Sequence, residues 1–325
     1  MRKHSGRGTF NYDNGDVYEG EIQDAEPHGI GKMTYTDGRV AEGIWKGGKI
    51  VYEGELAKGK PHGRGKWMYS DGTVYEGEWK NGLKDGEGIS KWPSGSVYEG
   101  EYKDDKKNGK GTNKWPDGTV YEGEWKGGKR NGRGTYKWSN GDMYEGEWMD
   151  DETHGMGTLK YSDGRVYEGE YKDGKRNGRG TFNYPNGDVY TGEWCVDKKH
   201  GMGVMNYANQ DIYDGEWKKD CKDGKGTMNF HNGDVYKGEF SNGKMHGKGA
   251  FEYATGDVFK SIGEWKEGKK FGLFEDVVRV SKQVYYDNDE PKANSNVKRE
   301  APSDEDTDTD DATPRKRRNV CISPP

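Results

Sequence analysis

Polar and apolar residues alternate one for one along most of the chain, and glycines cut the runs at fixed places. In Val120-Tyr121-Glu122-Gly123-Glu124-Trp125, alternation puts Tyr121, Gly123 and Trp125 on one face of a strand and Glu122 and Glu124 on the other. Gly134-Thr135-Tyr136-Lys137-Trp138 alternates the same way, with Gly134, Tyr136 and Trp138 sharing a face. The segment Lys126 to Arg133 reads as a glycine-rich loop between the two strands. Ser139-Asn140-Gly141-Asp142 reads as a tight turn, its Asn-Gly pair supplying the positive φ such turns need. The predicted unit is a β-hairpin.

The unit recurs. Its tyrosine falls at Tyr52, Tyr75, Tyr98, Tyr121, Tyr144, Tyr167, Tyr190, Tyr213 and Tyr236, with a degraded copy at Phe259 and earlier copies at Tyr18 and Ala41. A fixed period of this size marks an array whose units bury apolar surface only against their neighbours. The fold class expected is all-β, an elongated single-layer antiparallel meander of hairpins. At ~4.8 Å per strand it would run about 100 Å or more. Two irregularities stand out. Gly6 to Tyr12 reads as the second strand of a hairpin, which leaves an edge strand open to another chain. Ala41 to Tyr52 is a shortened step, read as a lost second strand replaced by a tight turn at Gly47-Gly48.

Composition narrows the classes. Only 29% of the 325 residues are hydrophobic, while there are 54 glycines, 22 tyrosines and 11 tryptophans. That suits aromatic rings lying over glycine backbone rather than a thick two-layer core. Net charge is -6, from 58 acidic and 52 basic residues, which does not describe a nucleic-acid binder. The three cysteines define no disulfide framework, and neither a signal peptide nor an apolar run of about 20 residues is present. A soluble, cytoplasmic chain is expected.

The block Tyr121-Glu122-Gly123-Glu124-Trp125, the loop after it and Gly132-Arg133-Gly134 resemble the MORN (membrane occupation and recognition nexus) repeat family, and the match recurs from Gly6 to about Gly272. The resemblance implies a β-hairpin array. Its roles span cytoskeletal scaffolds, ciliary and flagellar components, membrane-junction proteins and arrays fused to lipid kinase or methyltransferase domains.

Four segments follow. Residues 1–272 form the array, irregular over 1–51 and regular over 52–272; residues 273–286 form a cap; residues 287–325 form an acidic and basic tail expected to be disordered. In the tail, Arg315, Lys316, Arg317 and Arg318 are a candidate nuclear import cluster. Ser303, Thr307, Thr309, Thr313 and Ser323 are candidate phosphosites, the first three beside acids and the last two before proline.

Candidate chemistry lies in four places. Glu122 and Glu124 stand about 7 Å apart on one face, the spacing of a glycosidase pair, but the pair recurs in nearly every repeat and reads as structural. His28, His62, His154, His200 and His246 share one position, too widely spaced to hold one ion. The stronger signal is a basic edge formed by the loops: Lys103, Lys106, Lys107, Lys126, Lys129, Arg130, Arg133, Lys172, Lys175, Arg176 and Arg179. Opposite it runs an acidic edge that includes Asp71, Asp117 and Asp142. The basic edge suits an acidic protein surface or an anionic membrane. The aromatic strip, represented by Tyr121, Trp125, Tyr136, Trp138, Tyr144 and Trp148, is the other candidate surface. No catalytic residue, cofactor or metal is implied. The reading is a non-catalytic scaffold for protein partners, with a cytoskeletal association first and homodimerisation open. The alternatives are a peripheral membrane adaptor and a regulatory subunit of a lipid kinase or other enzyme.

Overall fold

The computed structural model describes residues 5–279 together with the short strands Tyr286–Asp287 and Glu290–Pro291. The described residues contain strands, turns and bends and no helix. The chain forms two compact units, Met1–Val189 and Tyr190–Pro325. In the first, β1 (Gly6–Asn11), β2 (Val17–Gln23), β3 (Glu26–Thr34), β4 (Val40–Lys46) and β5 (Lys49–Ala57) open an antiparallel meander. It continues strand by strand to Lys175–Asn183. In the second, the same succession runs from Lys198–Asn206 to Lys269–Val278. The segment from Leu273 to Val278, placed in the expected cap, is the end of that last strand.

The expected hairpin forms, with one correction. Lys126 to Arg133 is not a loop. The strand Val120–Lys126 passes into Lys129–Lys137 through Gly127 and Gly128 alone, whose φ values of 60° and 91° fit a two-residue hairpin turn. Trp125 then faces Arg130, while Gly123 faces Gly134. The second strand therefore takes four steps where the first takes two, a bulge centred on Asn131 and Gly132. The wider turn at the other end closes through Trp138 N–H to Asp142 C=O and Gly141 N–H to Trp138 C=O, with Gly141 at φ 92°.

The core is one ring deep. Tyr121 is fully buried and lies against Gly134, where an added Cβ would stand 2.4 Å from its hydroxyl oxygen. Its hydroxyl donates to the Glu124 carbonyl at 2.9 Å. Trp125 donates through Nε1 to the Gly111 carbonyl of the preceding hairpin at 3.1 Å and meets Tyr98 edge-on at 5.4 Å between centroids. Tyrosine thus closes the regular hairpins, and where the block carries tryptophan, as at Trp79, Trp148 and Trp217, the indole fastens the hairpin to the one before.

The shortened step does more than drop a strand. Trp45 faces Ile50, but Ile44 faces Tyr52, so Val51 is bulged out. Residues that face each other across a ladder share a side of the sheet. Tyr52 therefore lies on the side opposite Trp45, and the buried aromatic face changes sides at β5. The first cluster, Tyr18, Met33, Ala41 and Trp45, closes with Ile50. On the other side, Ile44 stands where later repeats carry glutamate and Ile30 where they carry lysine, arginine, glutamate or methionine, and Gly59 sits against the Ile30 side chain.

Candidate functional site

The bulge places the basic residues, and it divides the expected row in two. Lys103, Lys106, Lys126, Lys129, Lys172 and Lys175 flank the turns and are exposed. Acids share that edge: Asp104, Asp105, Asp150, Asp151 and Asp173 occupy turn positions at positive φ, and Lys129 pairs with Asp150 at 3.7 Å. Lys107, Arg130 and Arg176 instead turn onto the aromatic face. The Arg130 guanidinium stands 4.4 Å from the Trp148 ring and 5.0 Å from Tyr136, and its Nε bonds Asp151 at 3.1 Å. Arg176 lies over Tyr167 and Phe182. Lys107 Nζ is 4.5 Å from both Tyr98 and Trp125 and donates to Asn113 Oδ1 at 2.6 Å. Burial pushes the Lys107 ammonium down to about 8, with the ring faces working against it. These three cations are part of the packing.

Arg133 and Arg179 point to the third surface, the glutamate face. Here the two glutamates of each block have separate roles. Glu124 Oε1 accepts the Arg133 N–H at 3.1 Å, and Glu170 accepts Arg179 N–H at 2.7 Å. The Glu124 carboxylate covers Gly132, whose φ is 77°. The second glutamate is therefore a cap for the bulge, a role that sequence reasoning missed. Glu122 has no hydrogen-bond partner among the described residues. Between the two rows runs a shallow groove of about 850 Å³ over Gly123, Gly134 and Gly146.

The acidic edge is also put to structural use. Asp142 Oδ1 accepts the Ser162 N–H at 2.7 Å, which holds its carboxyl below the ordinary carboxylate range and ties one wide turn to the next. Asp16, Asp211 and Asp234 do the same toward Thr36, His231 and Ala254. Asp71 and Asp117 bond within their own turns, to Thr73 and Thr119.

On the aromatic strip, Tyr121, Trp125, Tyr144 and Trp148 are core, each at 6% exposure or less. Tyr136 and Trp138 are half-buried. Trp138 belongs to a row at the wide turns, with Tyr69, Trp92, Trp115, Tyr161 and Tyr184, all half-buried. Between Tyr69 and Trp92 the row opens into a cleft of about 470 Å³ that also takes in Trp67, Trp79, Lys84, Asp71 and Asp105. Ser90 stands where other repeats carry Trp67, Tyr136 or Phe182, and its hydroxyl accepts from buried Tyr102 at 2.7 Å.

No group of three or more histidine, cysteine or acidic side chains suited to a metal occurs among the described residues. His28, His62, His154, His200 and His246 lie on strands. Cys221 is exposed and free; it and Cys195 stand at strand ends. The import cluster and the phosphosites lie outside the described residues. No helix among the described residues is long and apolar enough to cross a membrane.

A ladder of near-identical hairpins, each closed by a tyrosine and fastened to its predecessor, defines a tandem β-hairpin repeat protein. The chain belongs to the MORN repeat family, whose model matches eleven segments: 18–38, 52–74, 75–97, 98–120, 121–143, 144–164, 167–189, 190–212, 213–235, 236–258 and 262–273. The stretch left out between 38 and 52 contains the bulge at Val51. No curated protein matches the chain. Among solved structures, the TCP10 domain of Danio rerio CPAP is similar at 14% identity and TM-score 0.31, over 64% of this chain and 94% of that one. The G-box domain of the microcephaly protein CPAP is similar at 12% and 0.24, over 77% and 100%. A virginiamycin B lyase from Staphylococcus aureus is similar at 13% and 0.15, over 77% and 91%.

Proposed function

We propose that the chain is a non-catalytic scaffold that arrays protein-binding surfaces, with a cytoskeletal filament as its partner class and the cytoplasm as its compartment. The observation that carries this reading is the row of half-buried turn aromatics, Tyr69, Trp92, Trp115, Trp138 and Tyr161, presented once per repeat. A filament or extended partner offers contacts at a regular interval, and a regular array meets it with many weak contacts that sum. The exposed lysines beside the narrow turns add charge suited to an acidic filament surface. Co-sedimentation of the purified chain with microtubules and with actin filaments, across a salt series, tests the reading. Saturable pelleting with one of them is expected; no pelleting with either at low salt refutes the cytoskeletal assignment.

A second reading is favoured by Lys103, Lys106, Lys126, Lys129, Lys172 and Lys175: a peripheral adaptor on anionic lipid. The aspartates within the same edge argue against a continuous membrane contact. Flotation with phosphatidylserine vesicles separates the two, since the membrane reading requires salt-sensitive binding that the protein-scaffold reading does not.

A further inference from the structure

We propose that the cleft between Tyr69 and Trp92 takes a proline-rich segment in the polyproline II conformation, with a basic residue at its flank, and that the segment runs along the row toward Trp115 and Trp138. This rests on the scaffold reading and names the chemistry of its partner. The first argument is spacing. One repeat advances the sheet by two strands, ~9.6 Å at ~4.8 Å each. A polyproline II helix repeats every three residues at about 3.1 Å per residue, or ~9.3 Å. An extended strand repeats at roughly 6.7 Å, and an α-helical turn rises about 5.4 Å. Of the three, polyproline II keeps step with the turn aromatics, setting equivalent residues over Tyr69, Trp92 and Trp115 in turn.

The second argument is the chemistry of the cleft. Polyproline II makes no internal hydrogen bonds, so its carbonyls need donors. Among the described residues, the indole N–H groups of Trp67, Trp92 and Trp115 meet no acceptor, whereas those of Trp79 and Trp125 are spent on Gly65 and Gly111. Tyr69 adds a hydroxyl whose acidity burial suppresses, pushing it up to about 12, so it remains a donor across the neutral range. Flat rings separated by a gap suit prolyl rings, which lose little entropy on binding because the helix is already formed. The third argument is charge. Asp71 and Asp105 line the same cleft, and each has one oxygen engaged with a main-chain N–H, of Thr73 and Lys84. The Lys84 ammonium shares the cleft over the Tyr69 ring and offsets Asp105, so it is the second oxygen of Asp71 that suits an arginine or lysine on the ligand.

The test is a tryptophan-fluorescence titration of the full chain with a synthetic decaproline bearing one terminal arginine. A glycine–serine peptide of the same length and charge is the comparison. Saturable binding of the first alone is expected. W92A should weaken it by about tenfold or more, as loss of a central aromatic anchor does. S90W, which forces a ring of the kind Trp67 supplies in another repeat in beside Trp92, should abolish it; E122Q, on the opposite face, should leave it unchanged. Circular dichroism reports whether each variant is folded, and where W92A is not, S90W decides. Failure of decaproline to bind, equal binding of the glycine–serine peptide, or parental binding by a folded W92A or S90W overturns the proposal. So does tighter binding of a peptide spanning residues 310–325, which would make the chain's own tail the occupant. A chain that pellets with a filament yet ignores decaproline loses this proposal and keeps the scaffold reading.

Discussion

At the residue scale, glycine serves two distinct ends, and substitution separates them. Gly128 needs its positive φ and has open space around it, while Gly134 needs the space that the Tyr121 ring fills. Gly128→Ala should cost about 1 kcal/mol, through backbone strain. Gly134→Ala should cost about 1–3 kcal/mol, because the ring and its hydroxyl bond must move. Urea unfolding of the two variants checks the order. Titration gives a second test. Burial holds the block tyrosines above the ordinary phenol value, Tyr52 and Tyr236 at about 12 and Tyr121 and Tyr144 higher. The unfolded chain loses those protons near pH 10, so stability falls as pH rises above about 10. Lys107 has the opposite sign. Its folded value lies below that of the unfolded chain, so its contribution grows between about pH 8 and 10.4. Burial lowers Lys84 and Lys222 likewise, but three lysines face many tyrosines, and the melting temperature should drop steeply above pH 10. Tyrosinate absorbance should appear together with unfolding; tyrosinate forming at pH 10 in a chain that is still folded would contradict this. The tyrosine–glycine face was legible from alternation. The placement of Arg130 and Lys107 was legible too, but only if the same alternation is carried back from Gly134 through Gly132 to Arg130. Reading that stretch as a loop hid it.

At the element scale, the bulge is what alternation alone does not reveal. It comes from three coupled choices: a glycine at positive φ, a glutamate on the neighbouring strand and a tyrosine hydroxyl that takes the carbonyl beside it. Glu124→Ala should leave the hairpin paired but free the Arg133 amide. Hydrogen exchange at that amide should quicken, with a stability loss of about 1–2 kcal/mol, as expected for a charge-assisted bond at a partly exposed site. Unchanged protection at Arg133 would mean that the carboxylate contributes nothing to the bulge. The recurrence of Glu-Gly-Glu suggested a structural role without distinguishing its members. The distinction needed coordinates, because it depends on which carboxylate overlies Gly132.

At the scale of the whole molecule, stability should behave as a sum of hairpins and the joints between them. Removal of residues 121–143, one complete repeat, joins Val120 to Tyr144 and preserves every type of contact. The shortened chain should fold with a lower unfolding enthalpy and little change in melting temperature, as calorimetry would report. A misfolded product would show that the repeats are not interchangeable. The period was plain in the sequence. The reversal at Val51 was not, since a two-residue turn at Gly47-Gly48 with ordinary pairing would have kept Tyr52 beside Trp45. Only Ile44, standing where later repeats carry glutamate, hinted at it.

That reversal gives the array an origin. A regular ladder offers a long ligand many equivalent positions, and nothing in the ladder tells the ligand where to begin. At β5 the ring-bearing surface ends and a polar surface with an isoleucine step takes its place. A molecule lying along the rings therefore runs out of ring contacts at one known repeat. Its first residue is indexed there, and the array acts as a ruler with a zero mark.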